Sequence, residues 1–180
     1  MKKTRLAVLG ISLSLVVGGV LFVVLRKSYS ATSHKSYLGL SKDSTGRVLT
    51  RGFRNNNVGN IRISSTAWAG KIAISKNTDK AFEQFIEFRY GTLAMIILLR
   101  RYITGGTNTL RKIIYKYAPP SENNSASYLA QISAWSGLKL DTVLKTDKET
   151  LRKLVVAMAR LESGVGFTNQ DFEEAYTLLR

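Results

Sequence analysis

From Leu6 to Leu25 the chain runs for twenty residues without a charge, LAVLGISLSLVVGGVLFVVL. At 1.5 Å of rise per residue a helix of that length spans about 30 Å, the thickness of a bilayer's hydrocarbon core. Apolar residues occupy every face, which disfavours a helix packed inside a water-soluble core. Lys2, Lys3 and Arg5 precede the run, and Arg26 and Lys27 come directly after it. A cleaved signal peptide is the rival reading, but its apolar region is shorter and ends in a small-residue cleavage site rather than two cations. The segment therefore predicts a single-pass N-terminal anchor over residues 1–27, a membrane localisation and membrane lipid as a partner. Basic residues at both ends leave the orientation only weakly N-terminus-inside.

Beyond the anchor the chain has room for one domain. It has 180 residues, and a remainder of about 150 is the usual size of one compact unit with its own core. Residues 28–50, rich in Ser, Thr, Gly and Lys, read as a flexible tether. The domain is expected over residues 51–180. Cysteine is absent, which removes disulfides, thiolate nucleophiles and cysteine metal sites. His34 is the only histidine, so His-based triads and metal clusters have no material, and neither a metal nor a cofactor is expected. Lys and Arg total 27 against 12 Asp and Glu, a formal charge of +15. That excess favours a polyanionic neighbour such as nucleic acid, anionic lipid or the bacterial wall. Sequence-specific nucleic-acid reading is not expected, because no zinc ligands, basic zipper or aromatic RNP motif are present.

Periodicity divides the domain. Arg51 to Gly70, with its asparagines, glycines and short apolar pieces, predicts a turn-rich β-hairpin region. From Thr78 to Tyr102 apolar residues recur at helical spacing around Gly91, with Asp79 as N-cap. A short helix is expected over Thr109–Tyr117, ended by Ala118-Pro119-Pro120. Another opens at Asn124 or Ser125 and stops at Gly137. A Thr146-Asp147-Lys148-Glu149 capping box starts a helix that runs to Glu162 and closes at Gly164. A last short helix begins at Asn169 or Asp171. Trp135 and Leu154 lie on apolar stripes and are expected in the core.

The densest polar motif is Arg54-Asn55-Asn56-Asn57-Val58-Gly59-Asn60-Ile61-Arg62, with Trp68-Ala69-Gly70 shortly after it. Asparagine tolerates left-handed geometry and caps its own turn, so such a run builds a tight bend. Its amides equally offer donors and acceptors to the hydroxyl and acetamido groups of a sugar, and Trp68 offers a ring to a sugar face. The motif resembles the RNNNPGNIR…W-x-G opening of a family of phage virion and lysis-associated proteins, with Val58 in place of the proline. The resemblance continues through Tyr117-Ala118-Pro119-Pro120-Ser121-Glu122-Asn123-Asn124 and Tyr128, and covers most of Arg51 to Glu162.

A second stretch, Ala159-Arg160-Leu161-Glu162-Ser163-Gly164-Val165-Gly166, resembles the A-x-x-E-S-G-x-G helix end that carries the catalytic glutamate of lysozyme-like glucosaminidases and transglycosylases. In those families the glutamate helix precedes an Asn-rich hairpin, whereas here the Asn-rich element comes first. Circular permutation reconciles the two orders. The bland reading of Glu162 is a carboxylate in the last turn of an amphipathic helix, a place the helix dipole disfavours. The resemblance implies a mainly α, α+β lysozyme-like domain with a small N-terminal β-hairpin region, preceded by the transmembrane helix. It implies Glu162 as general acid, with Asn55, Asn56, Asn57, Asn60, Trp68, Glu122 and Tyr128 binding substrate. Glu83, Glu87 and Glu122 are the candidates for a second carboxylate, which a glycosidase needs and a lytic transglycosylase does not.

These expectations lead to two functions. One is a membrane-anchored, virion- or lysis-associated enzyme that cleaves the glycan strands of peptidoglycan, as lytic transglycosylase or muramidase, alongside other virion proteins. The other is a non-catalytic basic structural protein of a membrane-containing virion that holds lipid headgroups or DNA.

Overall fold

Apolar residues at helical spacing build most of the domain. The computed structural model describes His34 to Leu179. Its helices are α1 (Arg51–Arg54), α2 (Phe88–Thr104), α3 (Leu110–Tyr117), α4 (Ser125–Ser136), α5 (Lys148–Ser163) and α6 (Asn169–Tyr176), with one 3-10 turn at Ile74–Lys76. α2 packs on α5 and α6, and α4 lies between α3 and α5. Met95, Ile96 and Leu99 of α2, Ile113 and Ile114 of α3, Ile132 of α4, and Leu151, Leu154, Val155 and Met158 of α5 meet in the core and are fully buried. Side-chain caps mark four starts: Thr109, Asn124, Asp147 and Thr168 each accept a backbone N–H of the first turn, the last within a complete capping box with Asp171. The capping box expected at Thr146 is thus a single cap from Asp147.

The expected β-hairpin is absent. Among the described residues there is no strand, only isolated bridges, including Arg62 with Phe82 and Lys71 with Phe85. The physical reason lies in the asparagines, whose side chains take the backbone partners that a ladder would otherwise use. Asn57 accepts from the Ile61 N–H and donates to the carbonyls of Ile61 and Glu83, all at 2.9 Å. Asn56 accepts from the Tyr37 N–H and donates to the Phe85 carbonyl. The same pairing keeps Phe82 to Ile86 out of a helix, because Glu83 and Phe85 donate their N–H groups to the carbonyls of Ile61 and Asn55. α2 therefore begins at Phe88 rather than near Thr78. Asp79 caps no helix; it closes a local turn on Ala81 and Phe82 and holds Arg51 at 2.8 Å.

The membrane-anchored architecture is also corrected. Among the described residues no helix is long and apolar enough to cross a membrane. The longest, α2, has 17 residues and contains Arg89, Arg100 and Arg101, too short and too charged for a span. The expected transmembrane helix over Leu6–Leu25 lies outside the described residues. Among the described residues the fold is a mainly helical domain with neither hairpin nor membrane-spanning helix, and the membrane localisation that depended on that helix is set aside.

Residues 34–50 belong to the domain and do not behave as a tether. Tyr37 packs edge-on against Phe53 and Phe88, each at 5.2 Å between ring centroids. Lys35 donates to the buried Asp171 at 2.6 Å, and Leu49 is buried. Trp135, expected in the core, is 41% exposed with the Arg160 guanidinium over its ring.

Candidate functional site

Glu162 owes its position to the residues around it in α5. The stripe from Leu151 to Met158 pins the helix in the core, and Ser163, fully buried, donates from its hydroxyl to the Val58 carbonyl at 2.8 Å. Thr50 donates to the Ser163 carbonyl at 2.8 Å. Gly52 permits this approach, since a Cβ there would lie 2.1 Å from the Ser163 hydroxyl. The end of α5 is thereby locked against the asparagine turn. A corresponding close approach locks α2, where a Cβ on Gly91 would lie 1.8 Å from the Asn56 carbonyl oxygen.

Both oxygens of the Glu162 carboxylate are held by neutral donors. The Tyr128 hydroxyl of α4 donates to Oε1 at 2.8 Å. The Asn60 side-chain amide donates to Oε2 at 3.0 Å and to the Glu162 carbonyl at 3.2 Å. Asn60 can reach because its backbone is left-handed, with φ of 46°, a geometry asparagine adopts more readily than most residues. None of the ion pairs among the described residues involves Glu162.

The tyrosines beside it keep their protons. Burial, reinforced by the Glu162 charge, pushes the Tyr128 phenol far above its ordinary range. Tyr117 of α3 is raised for the same two reasons and donates to the Gly59 carbonyl, bracing the turn that carries Asn60. Each carboxylate oxygen retains a further lone pair, so the group can face a substrate while it is being oriented.

Glu162 stands where two hollows meet. One, of about 600 Å³, is lined by Asn60, Arg62, Trp68, Tyr102, Lys116 and Glu122 among others. The other, of about 330 Å³, is lined by Asn124, Ser127, Tyr128, Gln131 and Leu161. Glu162 and Asn123 border both. Among the described residues no group of three or more His, Cys, Asp and Glu side chains comes together.

The residues singled out in the sequence divide cleanly. Asn60, Trp68, Glu122, Tyr128 and Glu162 converge on these hollows. Asn55, Asn56 and Asn57 do not; they are buried, and their amides are engaged within the fold, Asn55 with Asp79 and Gln84. Trp68 is partly buried and carries the Arg101 guanidinium 5.2 Å from its ring centroid. Of the candidate second carboxylates only Glu122 shares the larger hollow, exposed and paired with Arg62 at 2.6 Å. Glu83 is buried against Ser64 and Lys71, and Glu87 is paired with Arg89. Tyr102, Lys116, Tyr117, Ser127 and Gln131 join the site without having been singled out for it. Tyr117 stands inside the Tyr-Ala-Pro-Pro run, which marks it as kin but not as a brace, and in the sequence Lys116 looks like any surface lysine.

No family model matches the chain. It is similar to Protein P5 of Pseudoalteromonas phage PM2, with 30% identity over 145 residues, which are 78% of this chain and 88% of that protein.

Proposed function

The chain belongs to the same phage protein family as Protein P5 of Pseudoalteromonas phage PM2, and within that setting we propose that it cleaves the glycan strands of peptidoglycan with Glu162 as acid and base. One observation carries this reading: a carboxylate without a cationic partner, oriented at both oxygens by Tyr128 and Asn60, at the junction of two hollows large enough for sugar rings. Asn60 and Glu162 come from the two motifs whose order along the chain is reversed relative to lysozyme-like enzymes. Their contact supports a circularly permuted relation to those enzymes.

In this mechanism Glu162 gives its proton to the glycosidic oxygen as the bond from that oxygen to C1 breaks. The substrate's acetamido group stabilises the charge developing at C1. The sugar's own 6-hydroxyl then attacks C1, and the Glu162 carboxylate takes up the hydroxyl proton, regenerating the acid and leaving a 1,6-anhydro end. A hydrolase would instead need water and a second carboxylate at about 5 Å or 6.5–9.5 Å. The engagement of Glu83 and Glu87 elsewhere, and of Glu122 with Arg62, favours the lyase.

A structural role in the phage particle is the second reading, favoured by the formal charge of +15. Digestion of purified peptidoglycan separates the two. The full chain should solubilise it, and Glu162→Gln should fold alike and lose roughly 10²–10⁴-fold in rate, the usual scale of general acid catalysis. Salt-sensitive polyanion binding without digestion would favour the structural reading.

A further inference from the structure

The two hollows beside Glu162 differ in charge. On the α4 side the lining apart from Glu162 is uncharged, supplied by Asn124, Ser127 and Gln131. On the other side Arg62 is balanced by Glu122 at 2.6 Å, but two further cations are not matched. Lys116 borders that hollow with its ammonium 4.5 Å from the Tyr102 ring centroid, and Arg101 lies over the adjoining Trp68. Neither forms an ion pair among the described residues. Both side chains are exposed. Cations seated on aromatic faces are pre-positioned while their outward N–H groups stay available to an anion.

The substrate has a matching asymmetry. A peptidoglycan strand alternates a neutral acetylated sugar with one that bears a peptide through a lactyl ether, and that peptide carries carboxylates. Cleavage that leaves an anhydro end breaks the bond at C1 of the peptide-bearing sugar, so the two kinds of sugar lie on opposite sides of the acid. Resting on the glycan-cleavage reading, we infer that the hollow bordered by Lys116, with Arg101 over the Trp68 ring at its rim, receives the peptide-bearing sugar, that these two cations hold its anionic peptide, and that the uncharged α4 hollow receives the neutral sugar. Lys116 and Arg101 then determine selectivity for strands that still carry their peptides.

Binding tests this without requiring turnover. Soluble glycan fragments are prepared with their peptides and, in parallel, stripped of them by an amidase with the lactyl carboxyl that this frees then converted to a neutral amide, and both are titrated into the full-length Glu162→Gln protein. Peptide-bearing fragments should bind about 10-fold more tightly at low salt, with the preference shrinking at high salt as screened ion contacts weaken. In the Glu162→Gln background, adding Lys116→Gln and Arg101→Gln should abolish the preference, with peptide-bearing fragments losing more affinity than stripped ones. The salt series on the Glu162→Gln protein gives an answer even if the triple variant does not fold. Equal binding of the two fragments, or a preference that survives both high salt and the added substitutions, overturns the assignment. Digestion by wild-type protein tells the two failures apart: cleavage without preference defeats only the assignment, whereas neither binding nor cleavage defeats the glycan reading and the assignment with it.

Discussion

Residues 34–87 and residues 88–179 reach the same compactness by different chemistry. The first stretch contains only α1 and one 3-10 turn, and about half of what it buries is polar: Asn55, Asn56, Asn57, Asn77, Glu83 and Gln84 are inside beside Leu49, Phe53, Val58, Ile61 and Phe85. Their amides and the Lys71–Glu83 pair at 2.8 Å supply the partners for backbone groups that no ladder satisfies. The second stretch holds five helices around Leu, Ile, Met and Phe side chains. Apolar packing depends on volume and pattern and tolerates exchange, whereas a buried hydrogen-bond network depends on each donor and acceptor. The site spans the seam between the two stretches, with Glu162 and Tyr128 supplied by helices and Asn60 by the polar turn.

The helical half should give the largest loss. Leu154 is fully buried in α5, so Leu154→Ala should lower stability by about 2–5 kcal/mol, with Leu154→Met costing under about 1.5 kcal/mol. Equal losses from both would mean that this half also depends on shape-specific contacts.

Next is Asn57, where Asn57→Ala leaves the Ile61 N–H and the Glu83 carbonyl without their partner and takes one of two donors from the Ile61 carbonyl, and should cost about 1–3 kcal/mol. Asn57→Leu, close in volume, should not recover that loss. A neutral Asn57→Leu in urea denaturation would erase the distinction between the halves.

The contrast also extends to places the sequence left hidden. The starts of α3, α4 and α6 could be read almost to the residue, because Thr109, Asn124 and the Thr168–Asp171 box are local signals. Phe85 and Ile86 carried a helical period yet lie outside any helix, since their N–H groups answer to the carbonyls of Asn55 and Gly70 far away in sequence. Glu162, Asn60 and Tyr128 were visible as chemistry within recognisable motifs. Lys116 and Arg101 were not, because a cation gains its role only from the ring it is placed over.

Smaller effects refine the picture. Trp135, on the apolar stripe of α4, is 41% exposed beside Arg160, so Trp135→Ala should change stability by under about 1 kcal/mol. A loss of several kcal/mol would return Trp135 to the core. At Asp43 the Thr45 hydroxyl, followed by the N–H groups of Thr45 and Arg47 and the Arg47 guanidinium, lowers the carboxyl from 3.8 to about 2. A carboxyl lowered on folding contributes stability above its unfolded value and loses it as pH falls through the folded one. Asp43→Asn should therefore depress the melting temperature slightly at pH 6 and progressively less as the pH falls toward and through 2, and a difference that does not shrink over that range would rule out ionisation as its source.

The central claim, that Glu162 held by Tyr128 and Asn60 cleaves glycan strands, meets its most direct test in mass spectrometry of the products. Peptidoglycan incubated with the full chain should yield fragments with 1,6-anhydro ends, and the same material incubated with Glu162→Gln should yield roughly 10²–10⁴-fold fewer. No new ends from the wild-type chain, or equal numbers from both proteins, would contradict it.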